Sequence, residues 1–209
     1  MTDKAAEWKF AEEFVIEPDD IARARAHSLE LGVEAVSPGV GAQLSFIASS
    51  TAAQNIIELG TGCGVSALWM LRGAPDATLT SIDTEIDHQQ AARAALTGAG
   101  VPAKRIRLIA GRARDVLPRM NESAYDLVLI DADPSGVIEY LEHGLRLVRP
   151  GGVVLVAHAL WHGTVADPTK RDATTIAYRT LLGEVAATGV TASLSPLGDG
   201  LLQLVRPVE

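Results

Sequence analysis

From Asn55 onward the chain repeats one pattern, a short and nearly unbroken apolar run followed by a longer amphipathic stretch. The runs are Ile56–Leu59, Thr78–Ile82, Ile106–Ile109, Leu127–Ile130 and Val153–Val156. Segments of helical period lie between them at Val65–Leu71, Ile86–Gly98, Ala113–Met120 and Ser135–Leu147. Strands that are apolar on both faces must be covered on both faces, and helices of βα units laid over a parallel sheet do this. The rhythm breaks after the fifth run. A polar loop, His162–Arg171, leads to a helix over Ala173–Ala187, and two β-like runs follow at Val190–Leu194 and Leu201–Val205. Only Pro196–Gly200 joins them, too short a link for a parallel crossover, so they form a hairpin. The spacing predicts an α/β fold with a seven-stranded sheet, five strands parallel plus a C-terminal antiparallel hairpin, and helices on both faces.

Residues 1–51 read as helices, with one over Asp20–Leu31 stopped by Gly32 and another over Val40–Ser50 after Pro38. The expected organisation is one domain over 1–209, a helical segment (1–51) preceding an α/β core (52–209). A chain of this length that is 47% hydrophobic has ample material for one core. Its net charge of −8 argues against nucleic acid or an anionic membrane as main partner, because both require a basic face. No apolar run approaches the ~20 residues of a membrane span, and the charged start MTDKAAEWKFAEEF lacks the apolar core of a leader. One cysteine, Cys63, can form neither an intramolecular disulfide nor a multi-cysteine zinc site. These features lead us to expect a cytoplasmic protein.

The strongest motif is Glu58-Leu59-Gly60-Thr61-Gly62-Cys63-Gly64-Val65-Ser66, where the first strand turns into a helix. Glycines there allow positive φ and close approach of backbone to a ligand, at the carboxyl edge where open α/β sheets bind ligands. The dinucleotide fingerprint is G-x-G-x-x-G, whereas the spacing here is G-x-G-x-G. Glu58 also stands two residues before the first glycine. A carboxylate repels a pyrophosphate but attracts an ammonium or sulfonium, by about 4 kcal/mol for unit charges ~4 Å apart before desolvation. This favours S-adenosylmethionine over NAD.

Asp83 ends the second strand, about 20 residues after the glycines, where an acid accepts from ribose hydroxyls or caps the next helix. Asp131 and Asp133 close the fourth strand beside the glycine loop. They suit a cation, an acceptor or a cofactor amino group, and Asp133 before Pro134 also reads as a helix cap.

The ordered set IIELGTGCGVSALWM, SIDTE, GRARDVL, YDLVLIDAD, LRLVRPGGVVLV, Leu160–Val165 and PLGDGL resembles small-molecule O-methyltransferases of the catechol and caffeoyl-CoA type, in particular their actinobacterial branch. The resemblance runs from about Val36 to the C-terminus. It implies a class I methyltransferase sheet, transfer to a small-molecule hydroxyl, and a homodimer. It also implies that Val36 and Ser37 touch the methionine end of the cofactor, and that Glu58, Gly60, Thr61 and Ser66 hold its amino and carboxylate groups. Asp83 would hold the ribose, Thr84 would lie beside the adenosine, and Ala113 (with Arg114 nearby) would pack at the adenine. Asp131 and Asp133 would stand between cofactor and acceptor.

The pattern departs from the family at the metal. Metal-dependent members hold a divalent cation with the aspartate matching Asp131 and an Asp-Asn pair that is here Ala157-His158, and a lysine of theirs is here Pro134. We therefore expect no Mg2+ and no metal ligands. His158, with Asp131, is the candidate for catalysis, as a general base on the acceptor. Competing readings make His158 and His162 plain loop residues or, with Asp131, transition-metal ligands. The lost ligands also leave open an inactive cofactor-binding protein, and a nicotinamide oxidoreductase is the remaining alternative.

Overall fold

The computed structural model describes residues 4–208; residues 1–3 of the expected helical segment, and Glu209, lie outside the described residues. Three helices come first: α1 (Lys4–Glu13), α2 (Asp19–Glu30) and α3 (Pro38–Ser50). The alternating part follows as β1 (Asn55–Leu59), α4 (Val65–Gly73), β2 (Thr78–Asp83), α5 (Ile86–Gly98), β3 (Ile106–Ala110), α6 (Ala113–Val116), β4 (Tyr125–Ile130), α7 (Val137–Leu147) and β5 (Val148–Val156). The chain ends with α8 (Ala173–Thr188) and the hairpin β6 (Ala192–Ser195) and β7 (Leu201–Val205). No helix among the described residues is long and apolar enough to cross a membrane.

The seven strands form one sheet in the order β3-β2-β1-β4-β5-β7-β6. The first five pair in parallel, β7 runs antiparallel to β5, and β6 runs antiparallel to β7. This is the expected sheet. Both faces are packed. On one, Leu44, Ile56, Trp69, Leu79 and Leu127 form a core under α3 and α4. On the other, Ile57, Val128, Tyr140, Val154 and Leu181 form a second under α7 and α8. The order reverses between β1 and β4, whose outgoing connections leave on opposite sides and open a crevice at their carboxyl ends.

Differences from the sequence reading have local causes. β5 begins at Val148 rather than Val153, with a register shift against β4 between Tyr125 and Leu127. Arg149-Pro150-Gly151-Gly152 does not look like strand, yet Gly152 fits because a Cβ there would stand 2.9 Å from the Asp126 carbonyl oxygen. The helix expected over Ala113–Met120 is one α-turn followed by a 3-10 turn over Leu117–Arg119, since Pro118 has no N–H to continue it. In the first 51 residues the sequence suggested helix without resolving α1. Its Glu12 accepts from Ser37 Oγ (2.7 Å), from Gly39 N (3.1 Å) and from Gly198 N, tying α1 to the start of α3 and to the β6–β7 turn.

Candidate active site

The crevice is built by strand ladders that continue past their ends. Gly60 N donates to Ile82 O (2.9 Å), Asp131 N to Leu59 O (2.8 Å) and Ala157 N to Ile130 O (3.0 Å). The tips of β1, β2, β4 and β5 are thereby held side by side. Gly60 has φ +91°, and a Cβ on it would stand 1.8 Å from the Asp131 carbonyl oxygen, so only glycine lets the loop lie against the β4 tip. Above these tips is a cleft of about 550 Å³, within the range of small-molecule sites.

Most residues expected at the cofactor line this cleft. Gly60, Thr61 and Ser66 come from the glycine loop and the first turn of α4. Asp83 and Thr84 come from the end of β2, Ala113 from α6, and Asp131 and Asp133 from the end of β4. Val36 lines it from the α2–α3 connection, together with Glu34, which the sequence reading did not single out.

Ser37, Glu58 and His158 are off the wall. Ser37 caps α3, its Oγ accepting from Val40 N (3.2 Å) while donating to Glu12. The one proton of that hydroxyl is committed inside the protein. Glu58 was expected to set its charge beside the ligand. Side chains alternate along a strand, and at two residues before Gly60 the Glu58 carboxylate points beneath the loop instead. It is fully buried, accepting from Ser81 Oγ (2.8 Å) on the neighbouring strand and from Ser66 Oγ. Burial, only partly offset by the two serines, pushes its carboxyl up to about 8.

Asp83 has a role that the sequence reading did not include. Its Oδ2 accepts from Thr61 N (2.9 Å) and Gly62 N (3.1 Å), and its Oδ1 from Glu85 N (2.9 Å). The backbone donors of the glycine loop are thus held by a carboxylate of the protein. Asp133 accepts from Ser135 Oγ (2.6 Å) and Ser135 N (3.1 Å), the cap expected before Pro134, and these bonds hold its carboxyl below the usual range. Asp131 is pushed the other way. Burial raises it, His158 pulls it down and Glu34 raises it further.

Behind Asp131 lies the loop after β5. His158 (φ +55°), Trp161 (φ +42°) and His162 (φ +50°) all adopt left-handed backbone, a costly state for side chains of this size and one that concentrates at functional sites. His158 Nε2 is 3.4 Å from Asp131 Oδ1 and its Nδ1 is 3.5 Å from Asp199 Oδ2. The same Asp199 oxygen is 3.3 Å from His162 Nδ1. Trp161 stacks on Tyr178 (centroids 5.5 Å apart), which anchors the loop on α8. The two histidines therefore differ: the His158 side chain is 16% exposed and flanked by two carboxylates, that of His162 is 52% exposed. Asp199 was legible only as part of PLGDGL, and Ser81 only through its register opposite Glu58.

A seven-stranded α/β sheet with a glycine-rich loop at its switch point and carboxylates on the neighbouring tips is a ligand-binding α/β fold with its cleft at the usual place. A profile of the O-methyltransferase family matches residues 12–207, and the chain belongs to that family. It is similar to a Mycobacterium tuberculosis protein whose name assigns it to the O-methyltransferases, at 44% identity over 201 residues, covering 95% of this chain and 90% of that one. Among solved structures it is similar to a Corynebacterium glutamicum protein, with a TM-score of 0.90 and 30% identity over 99% of both chains. It is also similar to the O-methyltransferase TomG of Streptomyces achromogenes, involved in tomaymycin synthesis and solved with S-adenosylmethionine, with a TM-score of 0.84 and 28% identity over 100% of both chains. The actinobacterial resemblance read from the sequence agrees with these relatives.

Proposed function

We propose that the protein transfers the methyl group of S-adenosylmethionine to a hydroxyl of a small acceptor, without Mg2+ and with His158 as base. The observation that carries the cofactor assignment is the bonding of Asp83. In a dinucleotide site the loop N–H groups and a helix N-terminus hold the pyrophosphate. Here the Thr61 and Gly62 N–H groups already donate to Asp83, and Glu34, Asp83, Asp131 and Asp133 put four carboxylates on the cleft wall against the two guanidinium groups of Arg112 and Arg114. Such a wall suits a ligand with an ammonium and a sulfonium, and repels a pyrophosphate.

In this reading Asp83 and Thr84 take the ribose and Ala113 the adenine. Val36, Gly60, Thr61 and Ser66 take the methionine end, and Asp131 and Asp133 separate it from the acceptor. Ser37 and Glu58 act from behind, Ser37 by starting α3 and Glu58 by orienting Ser66. The cofactor supplies a sulfonium methyl group, whose bond to sulfur breaks as its bond to the acceptor oxygen forms, the electron pair staying on sulfur. The protein's share is to align the two reactants, an effect worth up to ~7–11 kcal/mol, and to remove the hydroxyl proton at His158 Nε2.

The family's Mg2+ does not fit the residues present. Ala157 is buried and carries no donor, Pro134 has no ionisable group, and Asp131 faces an imidazole rather than a second oxygen ligand. Among the described residues no group of three or more His, Cys, Asp and Glu side chains could hold a metal ion. Octahedral Mg2+ needs several hard oxygens at one point. The test is transfer of labelled methyl from S-adenosylmethionine into a metabolite extract, with and without EDTA. Undiminished transfer is expected; loss that Mg2+ restores would refute metal independence, and no transfer at all would favour an inactive binding protein.

We also expect a homodimer. Phe10, Phe14 and Ile16 in and after α1 are 73%, 74% and 89% exposed, three large apolar side chains that the other described residues leave open to solvent. Light scattering should give about 44 kDa, twice the 22.0 kDa chain, and a monomer at high micromolar concentration would refute this.

A further inference from the structure

We infer that Asp199 is a positioning residue, holding His158 in the tautomer with its proton on Nδ1 and leaving the Nε2 lone pair to the acceptor. The inference rests on the base role proposed for His158. It comes from two atoms. His158 Nδ1 and Asp199 Oδ2 are both sealed from solvent, neither makes a hydrogen bond, and they lie 3.5 Å apart. Unpartnered buried groups are costly, and a small rotation of the imidazole joins these two. Catalytic hydrogen bonds are often long before ligands arrive and tighten in the complex.

The mount of Asp199 is rigid. Its own carbonyl accepts from Leu160 N (2.9 Å), and the carbonyl of Gly200 accepts from Ala159 N (3.0 Å), so the β6–β7 turn is stitched to the loop that carries His158. Gly200 has φ +88°, and a Cβ on it would stand 2.7 Å from Leu160 N, which shows how closely the two segments are packed. On the far side of the turn, Gly198 N donates to Glu12 of α1. Asp199 therefore cannot drift from the imidazole without breaking contacts to two other segments.

His162 shares the Asp199 oxygen, but half of its side chain is exposed and water can replace that partner. His158 has no such substitute. Its other nitrogen, Nε2, faces Asp131 at 3.4 Å on the side of the cleft, but burial raises the Asp131 carboxyl and so weakens its hold on an Nε2 proton, whereas the sealed Nδ1 has only Asp199 Oδ2 to pair with. In the step this arrangement serves, the acceptor hydroxyl gives its proton to Nε2 while its oxygen bonds the methyl carbon and the methyl–sulfur bond breaks toward sulfur. The imidazolium so formed keeps its Nδ1–H on the Asp199 carboxylate, and the proton leaves later to water.

The test is long-range proton–nitrogen correlation NMR on protein labelled with 15N-histidine at about pH 8, with His158→Gln identifying the signal. The wild-type ring is expected as the Nδ1–H tautomer. In Asp199→Asn the new amide can turn an N–H toward Nδ1, so the tautomer is expected to invert. Transfer of labelled methyl into the metabolite extract should then fall about 100-fold or more, with cofactor affinity unchanged. A wild-type ring with its proton on Nε2, or an Asp199→Asn protein with unchanged tautomer and rate, would overturn the inference. Failure of the underlying reading looks different. A ring doubly protonated at that pH, or a His158→Gln protein at full rate, would remove the base role whatever Asp199 does.

Discussion

Replacing Glu58 by glutamine should change how stability depends on pH. Glu58 is fully buried and its carboxyl is raised by burial from an ordinary value of 4.5 to about 8. Between those two values the folded protein keeps a proton that the unfolded chain has released. The unfolded state then binds fewer protons, so stability falls as pH rises, by up to ~1.4 kcal/mol per pH unit. This contribution is fully present below about pH 4.5, is lost progressively toward pH 8, and reaches a ceiling of about 5 kcal/mol. Glutamine keeps the shape and can accept from one serine while donating to the other, but it cannot ionise. Glu58→Gln should therefore lie within ~1 kcal/mol of wild type near pH 5 and be more stable by about 2–5 kcal/mol near pH 8.5. Urea unfolding of the cofactor-free protein at both pH values measures this. Asp131, also raised, stays in both proteins, so only its coupling to the Glu58 charge enters the comparison. An equal difference between the two proteins at both pH values would refute the reasoning, because it would mean that Glu58 ionises in the folded protein as readily as in water.

Two further substitutions test how the cleft is held. Gly60→Ala adds strain at φ +91° and a clash with the Asp131 carbonyl, and should cost about 3 kcal/mol or more, seen as a fall of roughly 6–12 °C in Tm with loss of cofactor binding by calorimetry. Glu12→Ala removes the acceptor for Ser37, Gly39 and Gly198, and should loosen α1 by about 1–3 kcal/mol, seen as faster hydrogen exchange over Lys4–Glu13 with exchange in β1 and β4 unchanged.

The parallel core was readable because burial on both faces leaves little freedom in composition. Ile56-Ile57 and Leu127–Ile130 can hardly be anything but central strands, and a link as short as Pro196–Gly200 requires a hairpin. The cleft-lining residues at loop positions, such as Gly60, Asp83 and Asp131, were readable because a strand tip at a switch point has one place to go. What the sequence does not carry is direction. Glu58 sits in the motif, and its number says nothing of whether its carboxylate rises over the glycine loop or drops beneath it; its register opposite Ser81 decides that. Asp199 and Glu12 were out of reach for another reason. Their importance comes from contacts with His158 and with Ser37, across 41 and 25 positions of chain, that only the folded turn and helix create.

The relation between Asp83 and the glycine loop explains how one topology can select different ligands. A glycine loop at a switch point offers backbone N–H groups, and by itself that favours an anion. Here the β2 tip ends in Asp83, close enough for its carboxylate to accept from Thr61 N and Gly62 N. The donors are satisfied within the protein, and the loop presents glycine backbone with an anionic group set into it. Asp131, one strand over, adds a second carboxylate whose backbone is in contact with Gly60. In the function proposed above, the preference for a cationic ligand arises from what fills the loop rather than from the loop. It survives the finding that Glu58 takes no part in the wall, because the charge expected from Glu58 is supplied by acids at the tips of the two strands that flank β1.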